Sequence, residues 1–471
     1  MNLSPEAQSL AAIVVMVVVL WITEALPLAV TALLGAVACV LAGVAPAKEV
    51  FRPFADPLIF LFIGSFLLAE AIRIHRLDRR LAFGVLSLSW VGERPGRILA
   101  AVAIISAAIS GFISNTCTAA MMLAIVSGIL VAVEESARIT GRPTSQRFAT
   151  GLYLCIAFAA SIGGLATPIG TAPNLIGLGF IRNQLGVHIS FLEWCGIGLP
   201  VVVILTTFTV MLLNRMFPAG VDRLEGVSRY VAEERTRLGP WTVGQKSVLV
   251  AFVVTVALWV LPGIALAALG PSSSISVWLK DRVPEGVAAL VGGILLFVLP
   301  GDRRQGRWSP ALIWSEARID WGIILLYGGG MALGELCFST GLARAFGDGM
   351  AGWIPDGPWG GPVLVAIATL VAVTTSEFTS NTASANMVVP VVIALGQHTG
   401  CDNMIAALAA TFASSLGFMM PVSTPCNAIV YGTGQIPLRA MMRSGIVLDL
   451  VGAVVIALTT LTVVRIATCG G

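Results

Sequence analysis

The chain has 471 residues, of which 57% are hydrophobic and only 11% charged, with a net charge of +3 and a mean hydropathy of +0.91. Soluble domains carry about 25% charged residues, so this chain cannot cover a water-facing surface and lipid must be its solvent. So small a net charge gives no ground for a nucleic-acid partner.

Backbone amides in lipid find no water, which leaves helices or a closed barrel as spanning structures. The apolar runs here match the roughly 20 residues a crossing helix needs, where barrel strands would alternate over about half that length. The chain is therefore read as an all-α polytopic membrane protein of the plasma membrane. No basic stretch precedes the first apolar run, which flows into Trp21-Ile22-Thr23-Glu24 without a small-residue cleavage site. That run is read as a retained span rather than a signal peptide.

In chain order, spans are predicted over 8–25, 27–44, 57–74, 150–180 and 194–216, then over 246–267, 283–300, 320–342, 403–434 and 446–465. Two further stretches, about 97–133 and 362–397, are too long for one span and too interrupted for two. Each holds a Ser-Asn-Thr triplet near its middle and is read as a re-entrant hairpin, with broken backbone that is tolerated only beside protein or a water-filled cavity. The eight cysteines form no CxxC pair and fall mostly in apolar runs, which makes them small buried hydrophobes rather than disulfides or metal ligands.

Loop charge sets the expected orientation. Arg73, Arg76, Arg79, Arg80, Arg94, Arg97, Arg138, Arg142 and Arg147 fall on one side, together with Arg223, Arg229, Arg235, Arg237, Lys246, Arg303, Arg304, Arg307, Arg318, Arg439 and Arg443. The opposite loops hold only Lys48, Arg52, Arg182, Lys280, Arg282 and Arg344. The positive-inside rule makes the first set cytoplasmic and places both termini outside, once the hairpins are taken as non-crossing.

Two halves repeat one another. Ser110-x-x-x-Ser114-Asn115-Thr116-x-Thr118-Ala119 matches Ser376-x-x-x-Ser380-Asn381-Thr382-x-Ser384-Ala385, and Pro168-x-Gly170-Thr171-x-x-Asn174 matches Pro421-x-Ser423-Thr424-x-x-Asn427. Upstream, Gly64 and Glu70 align with Gly329 and Glu335. The expected organisation is a repeat over 1–216, a cytoplasmic linker over 217–245 and a second repeat over 246–471. The loop charges open one hairpin from each side, so the repeat is inverted, a recurring plan of secondary transporters.

The triplets carry chemistry. A Ser-Asn-Thr turn where a half-helix begins offers unsatisfied N–H donors and a positive dipole end to an anion. Its hydroxyls, amide oxygen and unwound carbonyls are also hard ligands for Na⁺. Behind each triplet a proline break frees carbonyls at Gly170 and Ser423. Neither motif holds Arg or Lys, so a dianion there needs bound cations to neutralise it. A single triplet would read as interhelical hydrogen-bond glue; two, each with a matched proline break, do not.

Other polar groups carry less. Glu24, Glu70, Glu335 and Glu377 lie in or near apolar runs, where an ionisable group is a functional candidate or else tethers helix breaks and pairs with loop arginines. Glu377 adjoins the second triplet. His75, His188 and His398 share no motif, and Tyr327-Gly328-Gly329-Gly330 fits close helix packing. Without HExxH, GxSxG or paired aspartates in the spans, no enzyme is expected.

With Trp21-Ile22-Thr23-Glu24-Ala25-x-Pro27, both triplets, Thr375 to Thr382, Thr167 to Asn174 and Pro421 to Asn427, nearly the whole chain resembles the divalent anion/sodium symporter family. The resemblance implies a homodimer in which a transport domain slides as an elevator against a fixed scaffold. It implies one Na⁺ site at Ser110, Ser114, Asn115 and Gly170 and another at Ser376, Thr379, Asn381 and Ser423. Substrate would meet Ser114, Asn115, Thr116, Thr171, Ser380, Asn381, Thr382 and Thr424. The expected activity is Na⁺-coupled symport of C4-dicarboxylates such as succinate, fumarate or malate. The same fold carrying sulfate or citrate, or exchanging dicarboxylates, is the alternative. Two departures stand out: the Trp-x-Thr-Glu span comes first here, ahead of which the family has another helix, and Ser376 and Ser423 stand where other members often have Thr or Ala.

Overall fold

The computed structural model describes residues 3–140, 145–302, 308–350, 352, 354–355, 357–399 and 403–469, with the side chains of 140, 350, 398–399 and 463–469 left aside. Arg142, Arg303, Arg304, Arg307 and Cys401 lie outside the described residues, and His398 and Cys469 outside the described side chains. The described chain is helical throughout, apart from one isolated bridge between Pro300 and Pro310.

The first half runs α1 (Pro5–Thr23), α2 (Leu28–Leu41), α3 (Ala47–Val50), α4 (Pro57–Ile74), α5 (Leu77–Leu86), α6 (Pro95–Ser110), α7 (Asn115–Thr140), α8 (Gln146–Gly163), α9 (Ala172–Leu185) and α10 (Phe191–Met216). After α11 (Val227–Arg237) the second half runs α12 (Val243–Leu269), α13 (Ser274–Arg282), α14 (Glu285–Val298), α15 (Trp321–Ser339) and α16 (Leu342–Met350). It continues through α17 (Gly360–Phe378), α18 (Asn381–Thr399), α19 (Asn403–Ala413), α20 (Pro425–Tyr431) and α21 (Leu438–Cys469). Nine helices among the described residues are long and apolar enough to cross a membrane, and α2, α6, α14 and α19 are shorter apolar helices.

Local chemistry sets the ends. Asp56 caps α4 through the Leu58 N–H, while Ser190 with Glu193 and Thr242 with Gln245 form capping boxes for α10 and α12, each satisfying N–H groups that have no partner within the helix. Gly186, at φ +68°, ends α9 in the left-handed region, where a side chain would be strained.

The helices form two bundles. In one, α4 packs on α14 and α15 on α2, with α1 and α12 beside them. Two matched glycines permit this: a Cβ on Gly64 would overlap the Ala289 backbone, and one on Gly329 would lie 2.7–2.9 Å from atoms of Ala32. The glycine run predicted to serve packing does so, with Gly328 against Phe54 and Gly330 against Asn386.

The other bundle gathers α6–α10 with α17–α21. Its two halves interlock, since Trp194 stacks on Phe412 with centroids 4.6 Å apart and Phe158 meets Phe418 edge-on at 5.2 Å. α8 is buried along almost its whole length, which places the middle of the predicted 150–180 span at the centre of the bundle rather than against lipid. An ion pair and a hydrogen bond connect the bundles at one end: Arg182 on α9 donates to Asp56 ahead of α4 at 2.6 Å, and Asn183 donates to Glu335 on α15 at 3.3 Å.

Candidate functional site

Each predicted hairpin turns at its triplet. α6 ends at Ser110 and α7 begins at Asn115, while α17 ends at Phe378 and α18 begins at Asn381. The proline segments also open where expected. α8 passes through a 3₁₀ turn at Gly164–Ala166 and unwinds until α9 starts after Thr171, and α19 stops at Ala413 until α20 starts after Thr424.

The four helix beginnings meet around a cavity of about 480 Å³. All eight residues assigned to substrate line it: Ser114, Asn115, Thr116 and Thr171 from the first half, and Ser380, Asn381, Thr382 and Thr424 from the second. Gly170 and Ser423 line it as well, and Phe62, Phe66, Phe112 and Leu326 supply an apolar wall. Among the described residues the one charged residue in the lining is Asp320, whose carboxylate accepts the Ile323 N–H at 3.2 Å at the start of α15. No Arg, Lys or His contributes to the lining among the described residues. Backbone N–H groups and dipole ends are therefore what the wall offers an anion.

Behind the wall, both halves build the same small structure. In the first, one terminal atom of the Asn115 carboxamide lies 2.6 Å from Ser110 Oγ, 3.2 Å from the Gly170 carbonyl oxygen and 3.3 Å from the Ala160 carbonyl oxygen. With the amide nitrogen in that place, it donates to those oxygens. With the amide oxygen there, four oxygens converge and only the Ser110 proton lies among them, the environment a hard cation requires. In the second half, Ser376 Oγ donates to Asn381 Oδ1 at 2.7 Å and to the Ser414 carbonyl at 2.9 Å, and Asn381 Nδ2 donates to the Ser415 carbonyl at 3.3 Å.

Ser110 and Ser376 are fully buried. Thr379 does not open onto the cavity, since its hydroxyl turns back to donate to the Thr375 carbonyl at 2.7 Å. Thr171 and Thr424 sit at equivalent helix starts and differ in one bond: Thr424 Oγ1 accepts the Asn427 N–H at 3.1 Å, whereas the Thr171 hydroxyl makes no capping bond.

Several residues beyond the predicted set hold this geometry. Asn174 Nδ2 donates to the carbonyls of Gly164 and Thr167, both at 2.8 Å, and Asn427 Nδ2 donates to those of Gly417 and Met420, both at 2.9 Å. Each asparagine staples its own helix break, and each leaves its buried Oδ1 without a donor. Gly164 lets Asn115 approach, because a Cβ there would lie 2.7 Å from that same terminal atom of the Asn115 carboxamide, and a Cβ on Gly170 would overlap the Gly164 backbone. Glu377 accepts the Met419 and Met420 N–H groups at 2.7 and 3.0 Å and the Ser423 hydroxyl at 2.7 Å.

The other acids reached from sequence do not enter the cavity. Glu70 pairs with Arg73 at 2.5 Å and Glu335 with Arg52 at 2.8 Å. Glu24 ends α1 in a left-handed conformation on the surface. His75 contacts the Ala311 carbonyl at 2.7 Å, and His188 faces Glu285 at 3.5 Å. Of the cysteines with described side chains, Cys39, Cys155 and Cys426 are buried and Cys117, next to the first triplet, is exposed.

With this geometry in view, the relatives are informative. The family description "Sodium:sulfate symporter transmembrane region" matches residues 1–466. The chain belongs to this divalent anion/sodium symporter family. It is a multi-pass membrane transporter and not an enzyme. It is 32% identical over 462 residues to a sodium-dependent dicarboxylate transporter, SdcS, of Staphylococcus saprophyticus, covering 97% of this chain and 86% of that protein. The SdcS of Staphylococcus aureus is 31% identical over 450 residues, covering 95% and 84%. Among solved structures, the Alcanivorax borkumensis YdaH transporter superposes with a TM-score of 0.56 at 14% identity, over 89% of this chain and 86% of that one. Neisseria gonorrhoeae MtrF, described as illuminating a class of antimetabolite efflux pumps, gives 0.58 at 13% identity, over 89% and 83%. These two likenesses concern the fold alone.

Proposed function

We propose that this family member is a Na⁺-coupled symporter of C4-dicarboxylates such as succinate, fumarate or malate. The observation that carries the reading is a cavity framed by four helix beginnings, rich in hydroxyl and amide groups, with no basic residue in its described lining. Two hairpin tips offer two anion-binding ends, which suits a molecule with a carboxylate at each end. The wall supplies no full positive charge, so mobile cations must accompany the dianion. The oxygen clusters behind Asn115 and Asn381 are where Na⁺ would bind, held by Ser110, Ser114, Asn115 and Gly170 in one half and by Ser376, Thr379, Asn381 and Ser423 in the other. At Thr379 the backbone carbonyl rather than the engaged hydroxyl would serve. The names of the staphylococcal relatives agree with both the ion and the substrate class.

The working cycle follows the two-bundle arrangement. The halves 1–216 and 246–471 form an inverted repeat, with the linker 217–245 on the cytoplasmic side and both termini outside. The bundle of α6–α10 and α17–α21 carries cavity and ions past the bundle of α2, α4, α14 and α15 as an elevator, within a homodimer. Two conformations with opposite access are then related by the pseudo-symmetry of the repeat.

Uptake of radiolabelled succinate into proteoliposomes tests the reading, with an inward Na⁺ gradient or choline in its place and with fumarate, citrate and sulfate as competitors. Saturable uptake that needs Na⁺ and yields to fumarate is the expected result. Uptake without Na⁺ that requires preloaded dicarboxylate would mean exchange and remove the ion assignments. Competition by sulfate or citrate alone would move the substrate class.

A further inference from the structure

A second cavity, of about 360 Å³, lies between α1, α15, α16 and α18 and shares no lining residue with the one at the triplets. Its described lining holds no Asp, Glu, Lys, Arg or His. The indole N–H of Trp21 is taken by the Leu28 carbonyl at 3.2 Å, which leaves the Asn386 carboxamide as the one strongly polar group of the described wall.

Asn386 is 5% exposed. Its Nδ2 donates to the Thr382 carbonyl at 3.0 Å, while its buried Oδ1 faces no donor. Oδ1 rests against Gly330, where a Cβ would lie 1.8 Å from it. Four residues further along α18, Pro390 has no N–H to give the main-chain carbonyl of Asn386, so a second acceptor loses its helical donor. Neither feature is needed to make a hairpin arm, since Ala120 and Ala124 stand at the matching positions of the first half. A buried acceptor without a donor is costly, and here two of them adjoin an apolar space.

The rim shows how that space is reached. Val15 and Val19 on α1 are 59% and 51% exposed, and Phe346 on α16 is 44% exposed. α1 is one of the helices long and apolar enough to cross a membrane, so these side chains face acyl chains and the cavity is entered sideways from the bilayer.

We propose that this cavity binds an uncharged amphiphile dissolved in the membrane, whose hydroxyl donates to Asn386 Oδ1. At about 30 Å³ for each water-sized group, the space admits an apolar body of about a dozen heavy atoms. A charged head would find no counter-charge in the wall, and a plain hydrocarbon tail would leave the acceptors unpaired. A mostly apolar lining with one placed polar group is the usual make-up of a small-molecule site. Occupancy bears on transport through one bond, because the carboxamide that meets the hydroxyl also holds Thr382, which lines the triplet cavity. That consequence rests on the symporter reading; the binding itself does not.

The test uses the whole chain in phosphatidylcholine vesicles. The probe is a photoreactive diazirine analogue of undecanol, and its methyl ether, with the same body and no donor, is the control. Saturable labelling of α1 or α18 by the alcohol is expected, about tenfold weaker for the ether and about tenfold weaker for the alcohol on Asn386→Ala. If Asn386→Ala is not recovered folded, Ala394→Phe, which fills the cavity and keeps Asn386, should abolish the labelling. The alcohol, and not the ether, should lower the maximal rate of succinate uptake several-fold at an unchanged half-saturating concentration. Equal labelling by alcohol and ether, or wild-type labelling of folded Asn386→Ala, would make the cavity a groove for acyl chains and overturn the proposal. Labelling that rises without saturation means an adventitious additive only, and overturns it too. Saturable labelling that depends on Asn386 while uptake is unaltered keeps the site and removes its hold on transport. Uptake indifferent to Na⁺ would overturn the symporter reading without touching the site, which the labelling alone decides.

Discussion

The carboxamides of Asn115 and Asn381 each face both ways, towards the cavity and towards a buried serine five residues earlier. On the proposed reading, alanine at either position would remove a ligand of the ion and a wall of the substrate site together. Asn115→Ala or Asn381→Ala is expected to abolish Na⁺-driven uptake, with little loss of folded protein by size-exclusion chromatography. Normal transport by either variant would remove these residues from the site. The glycines make a graded prediction. A Cβ on Gly164 would lie 2.7 Å from a terminal atom of the Asn115 carboxamide, whereas one on Gly417 would meet Ser423, Ser376 and Asn381 at 3.2–3.5 Å. Gly164→Ala should therefore reduce uptake more than tenfold and Gly417→Ala by a few-fold, measured as initial rates at saturating Na⁺; equal effects would count against the geometry. Six of the eight cavity residues were legible in the sequence because a polar triplet is conspicuous inside an apolar run, and Thr171 and Thr424 because each follows a matched proline break. Gly164 and Gly417 were not, since glycine is common here and its need comes from backbone approach across helices.

Among the elements, the interrupted helices depend on two asparagines. Each Nδ2 satisfies two carbonyls that unwinding leaves without helical partners, and a buried polar group left unpaired costs about 1–3 kcal/mol. Asn174→Leu and Asn427→Leu are each expected to lower the thermal midpoint by several degrees and to broaden the Na⁺ dependence of uptake. An unchanged midpoint in a thermal-shift assay would show that the staples carry no load. A second contact is sensitive to pH. Hydrogen bonding to the Glu285 carboxylate raises the pKa of His188, against desolvation. A raised folded value means that the contact between the α9–α10 loop and α14 contributes fully below about pH 6.5 and is lost as pH rises through the higher folded value. His188→Gln should flatten the small fall in thermal midpoint that the wild type shows across that window; an identical slope in the variant would refute the assignment. Helix positions came from apolar length and the breaks from proline. The short α5, α11, α13 and α16 were not placed by sequence, because their polar faces give no spanning signal.

For the whole molecule, the resemblance implied a scaffold and a transport domain, but which helices join each bundle was not legible, since that depends on glycine contacts between residues hundreds of positions apart, as between Gly64 and Ala289. The bundles touch at one end through Arg182–Asp56 and Asn183–Glu335. The sliding proposed for one bundle would have to break these contacts. Cysteines at 56 and 182, joined by a short bifunctional thiol reagent in an otherwise cysteine-free background, are expected to block uptake by more than tenfold; uptake that survives complete cross-linking would exclude the sliding cycle.

The cavity lining holds no basic residue among those described and one acid, Asp320. On the proposed reading, such a wall holds a dianion weakly unless cations accompany it, so on a sodium-poor face a released dianion is not recaptured and the empty protein does not serve as a leak. Retention of the imported anion would then be secured by the scarcity of a small ion on one side of the membrane rather than by any door that must be kept shut.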